Sequence, residues 1–233
     1  MTTPMNDMNE TSLQALLARL AELEGRVQRA EDIESINKLT RAYGYYLDKA
    51  LWDEMLDLFT EDCSVEISAL GVYIGRQQAT VLFKELLGKG PAKSDENGLL
   101  WGQLYNHMIV QGIVDIDDDG VNASGRWRCF MQIAEFGQKA VWGEGPYEIR
   151  YRKGDDGIWR IRRLHFYRTY HTPFDEGWAK AKSPVGGVRP HLPPDLPPSV
   201  AYEPWPAVFI PPFHYANPVS GSRRYAREDP ERV

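Results

Sequence analysis

The sequence is poor in the features that mark several large protein classes. It has 2 cysteines in 233 residues, Cys63 and Cys129, so no disulfide framework is implied and a reduced state is expected. It contains no apolar run of about 18 residues and no N-terminal basic segment followed by an apolar core. We therefore expect no membrane span and no signal peptide, and we predict a cytoplasmic protein.

Motifs for common cofactors and for nucleic acids are missing as well. The chain has no glycine-rich phosphate loop, no HxxxH spacing and no paired cysteines. The acidic run Asp117-Asp118-Asp119 lacks the glutamate spacing of a calcium loop. A net charge of −6 argues against a nucleic-acid or anionic-membrane partner. We expect no metal, no cofactor, no nucleic acid and no membrane partner.

Aromatic side chains, in contrast, are abundant. They make up 12 % of the chain, with 7 Trp and 12 Tyr. Aromatics on an interior surface suit a flat, apolar, partly phenolic ligand, whereas the alternative role is to fill a core. A small aromatic substrate is the expected partner.

The first half of the chain is predicted to be mainly helical. Leucines at helical spacing predict a helix from Ser12 to Val27, and a second helix follows from Glu31 to Leu47. Gly25 predicts a break or bend between them. A short helix is predicted over residues 51–59. Two short strands, 63–68 and 72–75, and a helix over residues 77–87 complete this half.

The second half reads as long strands separated by turn signals. Helices followed by a meander of strands predict an α+β fold, with a curved, cone-shaped mixed or antiparallel sheet wrapped around the N-terminal helices. The predicted strands are Leu100–Asp117, Val121–Phe136, Lys139–Lys153 and Ile158–Tyr170.

A proline-rich and aromatic-rich segment follows the predicted sheet. Its prolines exclude helix and interior strand, yet it carries more large apolar groups than a plain linker. We predict three regions: a partly helical N-terminal extension (1–29), a cone domain (30–171) and an extended arm and tail (172–233). The arm is expected to pack across the domain or onto a neighbouring subunit, with a flexible tail as the alternative. Because such an arm needs a surface to cover, a homo-oligomer is predicted.

Three residues are candidates for acid–base chemistry. His107 lies within the strand-like stretch QLYNHMIVQ, Asp48 lies on a helix ahead of Trp52, and Tyr147 lies in WGEGPYEIRYRK. An imidazole titrates near neutrality, and a carboxylate orients it and stabilises its protonated form. The alternatives are a core histidine bonded to a carbonyl and a solvated helix acid.

Further residues are candidates for the wall of a substrate pocket. Strand alternation allows only one of His165 and Phe166 to face the pocket. A guanidinium near the open end would stabilise a phenolate or quinone-methide oxygen, although an outward, salt-bridged arginine is the alternative. The substrate-binding candidates are Tyr43, Tyr46, Tyr105, Trp127, Arg128, Phe166 and Arg168.

The order of the predicted elements resembles the SnoaL-like, nuclear-transport-factor-2-like cone fold. The segments that carry the resemblance span roughly residues 30–170. They are YYLDKALWDEMLDLFTEDCSVE (45–66), GRQQATVLFKELL (75–87), YNHMIV (105–110), YEIRYRKGDDGIWRI (147–161) and HFYRTY (165–170).

Scytalone-dehydratase-like members of that superfamily use a helix aspartate and a strand histidine, which the resemblance places at Asp48 and His107. Their second histidine falls near Met131 and their strand asparagine at Tyr147, and both departures argue against the same reaction. By analogy with the superfamily, a trimer is slightly preferred over a dimer.

The tail EPWPAVFIPPFHYANP is similar to that of a bacterial subgroup that includes diarylpropane and phenylcoumaran γ-formaldehyde lyases. This resemblance implies a cofactor-independent lyase that acts on a phenolic lignin-derived dimer, releasing formaldehyde and leaving a stilbene. A dehydratase or isomerase on another aromatic or polyketide-like substrate is one alternative. A non-catalytic small-molecule-binding module is the other.

Overall fold

A single long helix dominates the N-terminal part of the protein. The computed structural model describes residues 5–89 and 97–225, with side chains from residue 12 onward. Helix α1 runs from Met5–Asp48 without interruption, so the break predicted at Gly25 is wrong. A Cβ at Gly25 would meet nothing within 4 Å, and a helix tolerates one exposed glycine at a cost of about 1 kcal/mol. Within the described ranges, no helix combines the length and apolarity needed to cross a bilayer.

Short helical segments connect α1 to the sheet. Helix α2 (Trp52–Leu56) is shorter than predicted, because the backbone at Phe59 already pairs with Ile161 as the first residue of a strand. Helix α3 (Gly75–Thr80) continues directly into a π-helical segment, Val81–Gly88.

Seven strands form one curved sheet around α1. Their order is β2-β1-β6-β5-β4-β3, with β7 also paired to β5, and β1 and β6 run parallel whereas the other pairs are antiparallel. The sheet and N-terminal helix confirm the predicted α+β class. The strands are β1 (Phe59–Ile67), β2 (Val72–Ile74), β3 (Gln103–Ile116), β4 (Asn122–Glu135), β5 (Lys139–Lys153), β6 (Trp159–Phe166) and β7 (Tyr170–Pro173).

The last predicted strand is divided into β6 and β7. The residues between the two strands bulge against β5, where Tyr167 N–H donates to Pro146 O at 2.9 Å and Thr169 N–H donates to Glu144 O at 2.8 Å. Gly145 permits this approach, since a Cβ there would lie 2.0 Å from the Tyr167 carbonyl oxygen. The bulge redirects the chain so that β7 extends the sheet beyond the end of β6.

Helix α1 fills the concave side of the sheet. Its buried residues Ile36, Tyr43 and Leu47 belong to the main hydrophobic core. Towards the narrow end of the cone, Thr40 Oγ1 lies 2.7 Å from Tyr151 Oη. Tyr151 Oη also accepts a hydrogen bond from Trp127 Nε1 at 3.0 Å. These bonds link helix and sheet and close the narrow end of the cone.

The arm, residues 172–225 of the described chain, covers the convex side of its own domain. It forms a bridge to β2, where Val72 N–H donates to Leu196 O at 2.9 Å and Leu196 N–H donates back at 3.2 Å. Further along, the guanidinium of Arg126 stacks 3.9 Å over the ring of Phe213. The arm therefore packs across the domain, which is one of the two arrangements predicted. Residues 1–4 and 226–233 of the predicted extension and arm lie outside the described residues.

Candidate active site

A cavity of about 320 Å³ lies between the concave sheet face, α1 and the π-helical segment. Apolar and aromatic side chains line most of it, including Leu47, Phe83, Ile133 and Phe166. We call it the central cavity. Its volume lies at the lower end of the range for small-molecule sites and its lining is typical of them.

His107 lines the central cavity, and Asp48 lies behind it, next to its imidazole. Asp48 is the last residue of α1, and its Oδ1 accepts the backbone N–H of His107 at 2.5 Å. The same oxygen lies 3.5 Å from His107 Nδ1. Asp48 thus fixes the helix end to β3 and places a carboxylate beside the imidazole.

The surroundings of His107 favour its neutral form. The side chain is buried, and this burial lowers the pKa of the imidazole, although the nearby Asp48 carboxylate raises it in part. With Nδ1 next to Asp48, Nε2 on the opposite edge of the ring is the nitrogen available to a bound molecule. A neutral imidazole supported by a carboxylate is suited to accept a proton at neutral pH.

Three phenols surround the imidazole. The rings of Tyr105 and His107 lie 4.5 Å apart, and Tyr43 and Tyr147 pack edge to face at 5.9 Å. Burial raises the pKa of all three tyrosines, so they remain protonated and can donate hydrogen bonds. The buried Tyr43 and Tyr147 hydroxyls interact with each other, so the two phenols form one polar group in the wall.

The mouth of the central cavity is cationic. Arg168, His171 and the exposed Lys139 line it. The arm positions Arg168, because its Nη1 donates to Pro184 O at 3.0 Å and its backbone N–H donates to Tyr202 Oη at 2.7 Å. Burial and the Arg168 charge lower the pKa of His171 to about 4, so this second imidazole is neutral at pH 7.

The two histidines of the cavity lie in one row across the sheet. His107 pairs with Met131, Met131 with Gly143, and Gly143 with His171. A Cβ at Gly143 would lie 2.9 Å from Met131 Cε and 3.4 Å from the His171 ring, so glycine lets both side chains fill this part of the wall. Met131, where the resemblance places a histidine, therefore lies between two imidazoles.

The structure places most, but not all, of the sequence-predicted residues on the wall. Asp48 contacts His107 without lining the cavity, and the cavity lining includes His107, Tyr147, Tyr43, Tyr105, Phe166 and Arg168. Phe166 faces the cavity and His165 faces the opposite side, as the alternation of β6 requires. The roles of these residues remain predictions.

The wall positions predicted for Tyr46, Trp127 and Arg128 are wrong. Tyr46 packs beside the core and does not line the cavity. Trp127 shares the concave face but is held at the narrow end, where β3 passes so close that a Cβ at Gly112 would lie 2.4 Å from the indole. Arg128 is on the convex face, where its side chain is 55 % exposed and bonds to Gln111 and Glu144.

Sequence reasoning missed several wall residues. His171, Lys139, Met131 and Val141 line the cavity but were not predicted. Alternation along β5 from Tyr147 would have indicated Val141 and Lys139. No sequence signal indicated His171, because its position depends on the bulge between β6 and β7. Among the described residues, no group of three or more His, Cys, Asp or Glu is arranged to hold a metal ion.

A second buried histidine–carboxylate pair lies on the convex face. His165 Nδ1 is 3.4 Å from Glu66 Oε2. Glu66 also accepts the backbone N–H of Ser199 at 2.8 Å and its hydroxyl at 2.6 Å. The ring of Tyr167 stacks on His165 at a centroid distance of 3.7 Å. The arm thus uses this carboxylate as an anchor.

Comparisons with known proteins agree with the architecture. The structure of LinA aligns with 64 % of this chain and 93 % of its own, at 16 % identity and a TM-score of 0.55. Hexachlorocyclohexane dehydrochlorinase LinA-type3 from Novosphingobium barchaimii aligns with 64 % of this chain and 94 % of its own, at 15 % identity and 0.54. A candidate scytalone dehydratase from Novosphingobium aromaticivorans aligns with 70 % of this chain and 96 % of its own, at 16 % identity and 0.54.

These structural similarities concern the fold, since the identities are low. No significant match was found among curated proteins. The family model described as a SnoaL-like domain matches residues 28–165, which is more than half of the chain and includes both Asp48 and His107. The chain therefore belongs to the SnoaL-like domain family.

Proposed function

We propose that the central cavity is the active site of a cofactor-independent lyase, which releases formaldehyde and water from a phenolic lignin-derived dimer and leaves a stilbene. The observation that carries the proposal is the buried His107 at the wall of an aromatic cavity, with the Asp48 carboxylate beside its ring. A neutral imidazole, a carboxylate and protonated phenols are the groups that such proton transfers require.

The lining of the cavity suits one orientation of the substrate. Aromatic rings pack against Phe83 and Phe166, and the substrate phenol lies at the mouth near Arg168 and His171. A guanidinium there stabilises a developing phenolate or quinone-methide oxygen. The aliphatic carbons that carry the α-hydroxyl and the γ-hydroxymethyl group then lie beside Tyr147 and His107.

The first step removes water. The substrate phenol gives up its proton to solvent at the cavity mouth, where Arg168 stabilises the phenolate, and Tyr147 protonates the departing α-hydroxyl as the carbon–oxygen bond breaks. The products are water and a quinone methide. Tyr147 is a weak acid because burial raises its pKa, but hydroxide is a stronger base than phenolate and accepts the proton.

The second step breaks the carbon–carbon bond. His107 takes the γ-hydroxyl proton, formaldehyde leaves, and the bonding electrons form the alkene and restore the aromatic ring as a phenolate. Asp48 stabilises the imidazolium that forms. Solvent at the mouth returns a proton to the product phenolate and His107 reprotonates Tyr147, so atoms and charges balance without an added reagent.

A dehydratase acting on a related aromatic alcohol is the second candidate. The observation that favours it is that a single imidazole–carboxylate pair at the cavity wall suffices for one proton transfer. This enzyme would expel water by the same residues and keep the carbon–carbon bond intact.

One assay separates these functions. Metal-stripped protein is mixed with a phenolic 1,2-diarylpropane-1,3-diol, and stilbene absorbance and formaldehyde are followed together. The lyase predicts equal amounts of both products. Absorbance without formaldehyde would assign the dehydratase, and tight binding without either product would assign a binding module or another aromatic substrate.

A further inference from the structure

The N-terminal half of α1 projects away from the domain. Residues 12–31 are all exposed, and Arg29 makes the first hydrogen bond from this helix to the sheet among the described residues, from Nη2 to Ile116 O at 2.8 Å. A helix gains most of its stability from packing an apolar face. This projecting segment has none of that packing against the described residues of its own chain.

An apolar stripe nevertheless runs along the projecting helix. Its spacing alternates between three and four residues, which is the heptad pattern of a coiled coil. Leu13, Leu20 and Val27 occupy the first core position of successive heptads (position a), and Leu16 and Leu23 occupy the second (position d). These five side chains are 41–65 % exposed. Gly25 falls at position f on the outer face, where it does not interrupt the stripe.

The charges beside the stripe indicate which partner fits. Arg19 and Arg26 occupy the g positions on one side. On the other side Leu17 occupies the first e position and widens the apolar stripe, and Glu24 and Glu31 occupy the next two. In a parallel coiled coil, each g residue faces the e residue of the next heptad of the partner chain. Two copies of this helix would therefore pair Arg19 with Glu24 and Arg26 with Glu31 on both sides of the seam.

The antiparallel arrangement brings like charges together. It places g positions opposite g positions and e positions opposite e positions, so that Arg faces Arg and Glu faces Glu. In the free helix Arg19 bonds to Glu22 at 2.6 Å, but both side chains are more than half exposed and this pair is easily exchanged. The charge pattern thus complements a parallel copy of itself.

We propose that residues 13–27 of α1 form a parallel, in-register coiled coil with other copies of this chain. The homo-oligomer expected from the arm would then assemble through the N-terminal helix, since the arm covers the convex face of its own domain. This interface is independent of the central cavity and its chemistry.

The first test measures the mass of the full chain by light scattering. The wild-type protein is expected to be an oligomer, and Leu16→Lys/Leu23→Lys to be a monomer with an unchanged domain, as judged by near-UV circular dichroism. The matched control is Gln14→Lys/Ala18→Lys, which adds the same charge at outer positions b and f and should remain an oligomer. A monomeric wild type, or an oligomer that withstands the paired leucine substitutions, would overturn the proposal.

Charge exchange tests the register. Arg19→Glu/Arg26→Glu should weaken self-association about tenfold, because each attractive g–e pair becomes a repulsion. Adding Glu24→Arg/Glu31→Arg to the same chain should restore it. If the variant with all four substitutions does not regain self-association, the predicted g–e pairing is contradicted.

A disulfide tests the orientation. Leu13→Cys at the end of the seam should cross-link under mild oxidation only if the helices are parallel, and Ala18→Cys on the outer face should not. The native Cys63 and Cys129 are buried and interfere little. Protection of the helix by phospholipid vesicles alone, with no cross-link, would assign the stripe to a membrane surface and refute the coiled coil.

Discussion

The two faces of the sheet each carry a buried histidine beside a carboxylate, and the two pairs have nearly the same geometry. On the concave face His107 Nδ1 lies 3.5 Å from Asp48, and on the convex face His165 Nδ1 lies 3.4 Å from Glu66. Burial lowers the pKa of both imidazoles. By distance and charge alone, either pair fits an acid–base site.

Their surroundings separate them. His107 borders an aromatic cavity, and within the described part of the chain the Asp48 carboxylate bonds to the strand that carries the imidazole, through the backbone N–H of His107. His165 is stacked against Tyr167, and both oxygens of Glu66 are occupied by Ser199 of the arm. His165 also borders a cavity, of about 190 Å³, between the convex face and the arm. The difference that separates the two pairs is therefore that the Glu66 carboxylate is already committed to Ser199, together with the aromatic lining of the central cavity.

Removal of each imidazole in turn tests the difference between the two pairs with the largest expected effect. His107→Gln is expected to lower kcat by about 10²–10⁴-fold, the usual contribution of a general base. His165→Gln should leave kcat unchanged, because that ring does not line the central cavity. Steady-state kinetics on the diarylpropane diol measures both, and equal losses in the two variants would erase the distinction.

The carboxylates give the next largest effect. Asp48→Asn keeps an oxygen that can accept the His107 N–H but removes the charge beside Nδ1. Its kcat should fall on the order of ten- to a hundredfold, since a neighbouring charge shifts a pKa by about one to three units. Glu66→Gln should instead lower stability by about 1–3 kcal/mol, because a buried hydrogen bond to Ser199 is weakened.

Thermal denaturation and kinetics together report both carboxylate variants. If Asp48→Asn lost only stability and turned over at the wild-type rate, the carboxylate would have a structural role alone. If Glu66→Gln slowed turnover, the arm anchor would belong to the reaction.

Two arginines, one on each face of the sheet, allow the contribution of each face to substrate binding to be compared. Arg168→Gln is expected to raise KM about tenfold for a phenolic substrate, through loss of the cation at the cavity mouth. Arg163→Gln, on the convex face, should not change KM. A methyl ether of the substrate phenol, which cannot form the quinone methide, serves as the control. Its Ki as a competitive inhibitor should respond less to Arg168→Gln than the KM of the phenol does.

The smallest expected effect concerns stability against pH. A histidine whose folded pKa lies below its ordinary value of 6.5 binds protons better when unfolded, so its contribution is complete above pH 6.5 and is lost as the pH falls through the folded pKa. Burial lowers the pKa of His165 further than that of His107, where Asp48 compensates.

Melting temperatures between about pH 7.5 and 4.5 test this difference. His165→Gln should flatten the acid-side loss of stability more than His107→Gln does. Burial raises the pKa of Glu66, so this group changes stability with pH in the direction opposite to the histidines. Comparing each histidine variant with the wild type therefore isolates the contribution of that histidine. If His107→Gln reduced the acid-side loss of stability more than His165→Gln, the larger lowering of the pKa would belong to His107.

The long-period features of the fold could be predicted from the sequence. Strand alternation and turn signals located β3, β4 and β5 to within about three residues, and the same alternation turned Phe166 inward and His165 outward. The break expected at Gly25 was wrong because an exposed glycine costs too little to interrupt a helix. The division of the last strand was missed because it arises from a bulge against β5.

The sequence predicted those site residues whose positions follow from a local sequence pattern. Asp48 and His107 follow from their segments and from the family resemblance. The position of His171 depends on which strand β7 pairs with, and the depth of Trp127 depends on how closely β3 approaches it at Gly112. Both are consequences of tertiary register, which a single sequence does not encode in any local pattern.

The most direct measurement is a crystal structure of the His107→Gln variant with the intact phenolic diarylpropane diol bound. We expect the diol to bind in the central cavity, with its γ-hydroxyl within hydrogen-bond distance of the residue 107 side chain and its phenol beside Arg168. A diol bound between the convex face and the arm, or one in the central cavity with the hydroxymethyl group turned away from residue 107, would contradict it.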